Sequence, residues 1–517
     1  MAGVSGLLLT AAFPKIGIAW LAWIAWVPLL LALHDLPGGS AFLLGWLSGL
    51  VHNLGLVYWM AYTMQVYGNL PIYQSVPVLF LVASYLALYP ALFCCGAVIL
   101  CRRPIELLTL PLLWVALEYG RAHLFSGFPW QMLGHSQYQA LSMVQIADLF
   151  GVYGISLLVM GTNVVFAVAL FRFSKKRWQG ASIPTGMVKS AALGLALILA
   201  ATWGYGQMRL NQIDGLSKKA VSRKIAVIQG NIDQSKKWDP TYQLLTIKKY
   251  LLMSQSAAKQ SPALIVWPET ATPFYFLFDP LLTRMVQNGI RRIGTSVVFG
   301  SPYYEQKGAG RWLFNSAYLL DKDAHVVGRY DKVHLVPFGE YVPMKRWMPF
   351  IDTMVAQVGD FKPGRRGDTL PWQGGRLGIQ ICYEIIFPEL SAAMVRNGAN
   401  LLINITNDAW FGRTSAAFQH FSMAVFRAIE NRRVLVRAAN TGISGFVDPA
   451  GRILAKTPLY KDRKIQQSVP IMDVITFYTC HGDLFARSCA VICLLLGLFR
   501  LYRHGAERFR WRNADGA

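Results

Sequence analysis

Long apolar runs with short polar breaks fill the first two hundred residues, after which the pattern changes. The runs around 16–34, 41–61, 75–101, 149–171 and 188–206 approach the roughly 20 residues an α-helix needs to cross hydrocarbon. Shorter or weaker runs lie around 3–13, 104–120 and 484–502, so about eight transmembrane helices are expected. From about 207 to 482 the texture becomes short apolar stretches ending in polar residues, such as Ile225–Ile228, Leu264–Trp267, Val297–Phe299, Leu377–Ile381 and Leu401–Ile405. They read as buried strands, and helix-like segments at Pro240–Lys259 and Phe418–Arg433 lie between them, which predicts a layered α/β domain. The expected plan is a membrane domain at 1–206, a globular domain at 207–482, and a last helix with a basic tail at 483–517. No basic n-region precedes the first apolar run, so that run is expected to stay in the protein.

Composition supports the bilayer, because 54% of residues are hydrophobic and only 15% charged. Much of the net charge of +23 sits beside the spans, at Arg102 and Arg103, at Arg172, Lys175, Lys176 and Arg177, and at Arg500, Arg503, Arg508, Arg510 and Arg512. With eight spans these clusters share one face, which retention of positive charge makes cytoplasmic. The α/β domain is then expected on the extracytoplasmic face. Anionic headgroups account for the clusters, so no nucleic-acid partner is expected.

Of seven cysteines, Cys94, Cys95, Cys101, Cys489 and Cys493 fall in or beside apolar spans, where cysteine behaves as a small hydrophobe. Cys382 and Cys480 belong to the globular region. No CxxC or HExxH spacing suggests a metal, and no cofactor is expected. Nothing in the sequence specifies an oligomeric state.

Reactive residues in layered α/β folds sit just past strand ends. Three such positions carry informative groups: Glu269 in Trp267-Pro268-Glu269, Lys332 in Asp331-Lys332-Val333-His334, and Cys382 in Ile381-Cys382-Tyr383-Glu384. A carboxylate can take the thiol proton, an ammonium favours thiolate, and the same ammonium with the Tyr383 N–H can hold an oxyanion. Singly each has a plain alternative, namely a buried core thiol, a helix-terminal carboxylate and a surface cation.

Their order and flanks carry more weight than any one of them. Trp267-Pro268-Glu269, Lys332 shortly before His334-Leu335-Val336-Pro337-Phe338-Gly339-Glu340, and Cys382-Tyr383-Glu384 resemble the three catalytic neighbourhoods of the carbon–nitrogen hydrolase (nitrilase) superfamily. Gln229-Gly230-Asn231-Ile232, Gln234-Ser235, Lys237-Trp238-Asp239, the run Asn404–Gly412, Gln419-His420-Phe421 and Gly127-Phe128-Pro129-Trp130 resemble its membrane-bound branch, the apolipoprotein N-acyltransferases. The resemblance implies an αββα sandwich for residues 207–482, carried by a multi-pass protein of the bacterial inner membrane. It also implies a ping-pong reaction. Cys382 attacks the sn-1 ester of a phospholipid to give a thioester, and the α-amine of a lipoprotein's N-terminal diacylglyceryl-cysteine then takes the acyl chain. Glu269 would be the general base and Lys332 the oxyanion stabiliser. Glu340 matches a further acidic residue expected to orient Lys332 or the amine, against a structural ion pair as the alternative. Tyr383 and Glu384 are expected to support the nucleophile's turn.

Trp238 and Trp410 are candidates to line the acyl channel, with core packing as the alternative. The segment Val342–Val355 is unusually apolar for a loop and is expected to face lipid through Trp347, Phe350 and Ile351, the alternative being an ordinary packed loop. Two other activities compete. A membrane-tethered amidase would need an aqueous mouth, and a transporter with a binding-only domain fits poorly with an intact Glu269, Lys332 and Cys382 set and few charges within the spans.

Overall fold

A computed structural model describes residues 1–308, 310–342 and 360–514. Among them, four helices are long and apolar enough to cross a membrane: Gly38–Val57, Ile72–Leu100, Ala147–Phe173 and Thr185–Lys219. Each contains most of one expected run. The run at 16–34 is different. It breaks into a 3-10 turn at Ala19–Trp23 and a short helix at Val27–Ala32, which has Pro28 in its first turn. Proline is at ease there but cannot donate to a preceding turn, so the two pieces do not fuse into one straight helix. Ala2–Ala12 and Leu110–His123 are also short, while Leu484–Ala514 forms one long terminal helix.

The α/β part contains twelve strands among the described residues: β1 (Ser222–Gln229), β2 (Leu264–Val266), β3 (Ser296–Lys307), β4 (Gly310–Leu320), β5 (Val326–Asp331), β6 (Leu370–Trp372), β7 (Gly375–Ile381), β8 (Leu401–Thr406), β9 (Leu435–Ala439), β10 (Gly445–Val447), β11 (Ile453–Lys456) and β12 (Arg463–Pro470). They form two six-stranded sheets, ordered β12-β1-β2-β3-β4-β5 and β11-β10-β9-β8-β7-β6. Strands β1 to β3 are mutually parallel, as are β7 to β9, and antiparallel strands flank both sets.

Side-chain alternation sorts the layers. On β1, Ile225 and Val227 join the core shared with Ile379 and Ile403 of the other sheet, whereas Ala226 and Ile228 pack outward against Ile247, Tyr250 and Val286. Those outer residues come from the helices Pro240–Ala258 and Pro280–Ile293. Asp239 and Asp279 cap these helices by accepting first-turn N–H groups, and a proline follows each cap, so both helices start where the sequence dictates. The helices Pro388–Arg396 and Ala416–Asn431 cover the second sheet, completing an αββα arrangement.

Hydrogen bonds tie the membrane helices to the α/β part at several places. Trp130 Nε1 donates to Gln419 Oε1 at 2.8 Å, and Gln131 Nε2 donates to Gln419 O at 2.8 Å and Ser422 Oγ at 3.0 Å. This explains the Gly127–Trp130 motif as a docking turn. Gly127 has φ +73°, and a Cβ there would lie 2.1 Å from the Ala122 carbonyl oxygen, so only glycine fits. Further along, Thr63 Oγ1 and Tyr67 Oη donate to the carbonyls of Trp410 and Ala409 at 2.8 and 3.0 Å. Lastly, the fully buried Arg432 meets Asp148 at 2.8 Å, and Arg209 reaches the same carboxylate at 2.7 Å.

Asp148→Asn leaves both guanidiniums without their counter-charge. Breaking a buried pair of this kind costs about 3–5 kcal/mol. The detergent-solubilised variant is therefore expected to unfold at a clearly lower temperature, and an unchanged midpoint would mean the two halves do not depend on this contact.

Candidate active site

The ends of β2, β5, β7 and β8 converge on one site. Glu269 lies three residues past β2, Lys332 directly past β5, Cys382 directly past β7 and Asn407 directly past β8. All four are buried. Lys332 Nζ lies 4.0 Å from Glu269 Oε1 and is held bidentately by Glu340, at 3.0 Å to Oε1 and 2.9 Å to Oε2. Asn315 of β4 joins the two carboxylates by donating through Nδ2 to Glu269 Oε1 at 2.8 Å and to Glu340 Oε1 at 2.7 Å. The Asn407 main-chain N–H donates to Glu269 Oε2 at 2.9 Å. Both oxygens of the candidate base are therefore aimed. Gly300 makes this approach possible, since a Cβ there would sit 2.7 Å from the Glu269 Cα.

Cys382 occupies a strained turn with φ +54°, a left-handed conformation uncommon outside glycine. The neighbouring Glu384 over-determines it. Fully buried, Glu384 accepts from Ile381 N at 2.7 Å, Val333 N at 2.6 Å, His334 N at 3.1 Å and the Tyr330 hydroxyl at 3.0 and 3.1 Å. One carboxylate thus ties the turn bearing Cys382 to the turn bearing Lys332. Burial raises its pKa to about 7 against the pull of those donors. Glu384→Gln replaces one acceptor with an NH2 facing N–H donors. It is expected to cost about 1–3 kcal/mol, read as a lower unfolding midpoint together with a lower yield of Cys382 adduct; a normal midpoint and yield would remove Glu384 from this supporting role.

The charge state of the thiol runs against the expectation that the nearby ammonium favours thiolate. Burial, and then the field of Glu269, push the Cys382 thiol up to about 12, and Lys332 only partly offsets them. Lys332 itself is desolvated, but Glu340 and then Glu269 hold its pKa above the ordinary lysine value, so it stays an ammonium. A neutral thiol beside a base and a permanent cation suits proton removal during attack rather than before it. Behind Cys382, Asp408 pairs with Arg437 at 2.9 Å and His420 at 3.1 Å. These partners overcome burial and keep its carboxyl well below the usual range.

The remaining candidates divide. The Tyr383 ring is half-buried, with His334 and Phe387 centroids at 5.9 and 5.2 Å. Trp238 and Trp410 are substantially exposed, 51% and 39%, so neither is core filler. Trp410 packs its ring edge-on to Tyr67 at 4.8 Å. Trp347, Phe350 and the rest of 343–355 lie outside the described residues. Asn315 has no part in the sequence reading, and Asn407 enters it only within the run Asn404–Gly412. The available signal for Asn315 was an amide inside the apolar strand Leu313–Leu320, where asparagine is ordinarily depleted.

Residues 5–165 match the profile of the apolipoprotein N-acyltransferase N-terminal domain, and residues 224–474 match the carbon–nitrogen hydrolase profile. An apolipoprotein N-acyltransferase of Geobacter metallireducens is 47% identical over 495 residues, covering 95% of this chain and 92% of that protein. The chain belongs to the apolipoprotein N-acyltransferase family. The Methylococcus capsulatus member is 33% identical over 494 residues, covering 93% of this chain and 92% of its own. Among solved structures, an amidase from Nesterenkonia sp. aligns at 20% identity and TM-score 0.38, over 52% of this chain and 95% of its own. Within the family the Gln229–Ile232 motif has a structural reading here. Gln229 is buried and donates to the carbonyls of Pro458 and Lys461 at 2.8 and 3.0 Å, fastening β1 to the segment before β12.

Proposed function

We propose that this protein is a phospholipid-dependent N-acyltransferase working through a Glu269–Lys332–Cys382 triad. The observation that carries the reading is the convergence of a buried base, ammonium and thiol from three separate strand ends, in a chain whose similarity to acyltransferases runs from the membrane helices through the α/β part. In the first half-reaction the Cys382 sulfur bonds to the sn-1 acyl carbon while Glu269 takes the thiol proton and passes it to the departing lysophospholipid alkoxide. Lys332 and the Tyr383 N–H hold the tetrahedral oxyanion. In the second, the α-amine of an N-terminal diacylglyceryl-cysteine attacks the thioester, Glu269 accepts its proton, and the returning thiol closes the cycle. Glu340 fixes Lys332 for both. Trp238 and Trp410 border the mouth where the acyl chain arrives, and Trp347 and Phe350 are further candidates for contact with lipid.

The same reading sets topology. Three further helices, Ala2–Ala12, Leu110–His123 and Leu484–Ala514, and the broken segment Ala19–Ala32 join the four long ones as eight crossings of the bacterial inner membrane. Residues 1–206 form the membrane domain, 207–482 the periplasmic catalytic domain, and 483–517 the last crossing and cytoplasmic tail. Support comes from the basic clusters, which an eight-span path places on one side.

The test is to incubate the purified protein in detergent or nanodiscs with phospholipid and a synthetic diacylated lipopeptide. Intact-mass and peptide mass spectrometry should find one acyl chain on Cys382 before the acceptor is added and an N-acylated lipopeptide after it. Hydrolysis to free fatty acid with no acyl transfer to the amine would overturn the reading.

A further inference from the structure

A second lysine, Lys237, is buried at the same strand ends. Only 2% of its surface reaches solvent, and its Nζ donates to the main-chain oxygen of Glu269 at 3.2 Å. Among the described residues no carboxylate lies within 4.0 Å of it, whereas Lys332 contacts both Glu340 and Glu269. Burial lowers the Lys237 pKa to about 8, against the fields of Glu269 and Cys382.

An ammonium desolvated without a counter-ion is costly, and a fold that keeps one has another use for the charge. Charge balance at the site suggests what that use is. By formal charge, with Cys382 a thiol, Glu269, Glu340 and Lys332 leave one excess negative charge, which Lys237 cancels. When the thiol proton passes to Glu269 the total is unchanged, but the negative charge moves to sulfur and then to the carbonyl oxygen under attack. Lys332 meets that charge while already engaged by Glu340. Lys237 is the cation left uncommitted.

We propose that Lys237 is a second electrostatic partner of Cys382, stabilising the negative charge that forms on the sulfur and on the reacting carbonyl oxygen in both half-reactions. This rests on the thioester reading above. Lys237 neither gives nor takes a proton in the cycle: the bonds that form and break are S–C, C–O and N–C, and the proton travels by way of Glu269. Glu269 after β2, Lys332 after β5, Asp408 after β8 and the Thr406 hydroxyl at the end of β8 act on the Cys382 thiol, and the Cys382 backbone bonds to His420 on the helix Ala416–Asn431.

The test compares full-length wild type with Lys237→Met, Lys237→Gln and Lys237→Arg. Iodoacetamide labelling of Cys382 is followed across pH by peptide mass spectrometry, and thioester formation is followed separately on phospholipid vesicles. Lys237→Met should shift the labelling profile to higher pH and slow thioester formation by about 100-fold. Its unfolding temperature should be no lower than wild type, because an apolar side chain replaces a buried unpaired charge. Lys237→Gln keeps a donor for the Glu269 carbonyl and should show the same kinetic defect, while Lys237→Arg should recover most of the rate. A wild-type labelling profile in both uncharged variants overturns the proposal, and a drop in unfolding temperature with that unchanged profile assigns Lys237 to packing. Labelling needs no lipid. A wild type that forms no thioester therefore counts against the acyl-transfer reading, while the profile still decides the role of Lys237.

Discussion

Cys382→Ala is expected to eliminate the acyl-enzyme and the N-acylated product together while leaving the unfolding temperature close to wild type. The side chain is small and its removal opens little space, and the turn that carries it is held by Glu384 rather than by the sulfur. In the proposed mechanism both half-reactions pass through a bond to that sulfur, so neither can bypass its loss. Measured by mass spectrometry and lipopeptide assay, both signals should fall below detection. Product formed at a comparable rate without the thiol would mean direct attack by the amine. The raised thiol pKa adds a pH signature. Below about pH 12 the thiolate fraction of wild-type Cys382 grows about tenfold per pH unit, so alkylation should keep climbing through neutral and mildly alkaline pH instead of levelling off. A plateau near neutrality would show a thiolate already formed in the resting protein.

Glu269→Gln should slow thioester formation by about 10²–10⁴-fold, the usual worth of a positioned general base. The amide keeps the shape and one acceptor oxygen, but it cannot take the thiol proton. Its NH2 also meets the donors Asn315 Nδ2 or Asn407 N–H, whichever oxygen it replaces. The loss should appear in the rate of adduct formation on Cys382 after phospholipid is added, with total burst size recovered at long times. Adduct formation at the wild-type rate would exclude Glu269 as the base and turn attention to another acceptor near the sulfur.

Part of this site is legible along the chain because Cys382 directly follows an apolar strand and Glu269 comes three residues after another. A run such as Leu377–Ile381 can only be buried, and the first polar residue after it emerges at a strand end. The same one-dimensional physics locates the four long membrane helices, since hydropathy over about 20 residues is a local sum. It fails at 16–34, where the mean hydropathy of the stretch is high but the backbone breaks near Pro28. Hydropathy reports burial in lipid or protein, and says nothing of whether the hydrogen-bond ladder is continuous.

What only the tertiary structure decided is which groups share a charge. Asn315 meets Glu269 because β4 pairs with β5 in a register that sets Ser316 opposite Asp331, placing Asn315 beside Lys332. Glu384 reaches the turn after β5 although more than fifty residues separate it from Tyr330, and it converts two independent turns into one rigid unit. The sign of the Cys382 shift was likewise invisible from composition. An ammonium nearby favours thiolate, a carboxylate nearby opposes it, and desolvation opposes it more, so the outcome depends on distances and burial. Sequence determined which chemical groups stand at the strand ends, because that follows from local patterning. Their protonation, pairing and strain were set by long-range packing, because electrostatic energy falls with separation in space and takes no account of separation along the chain.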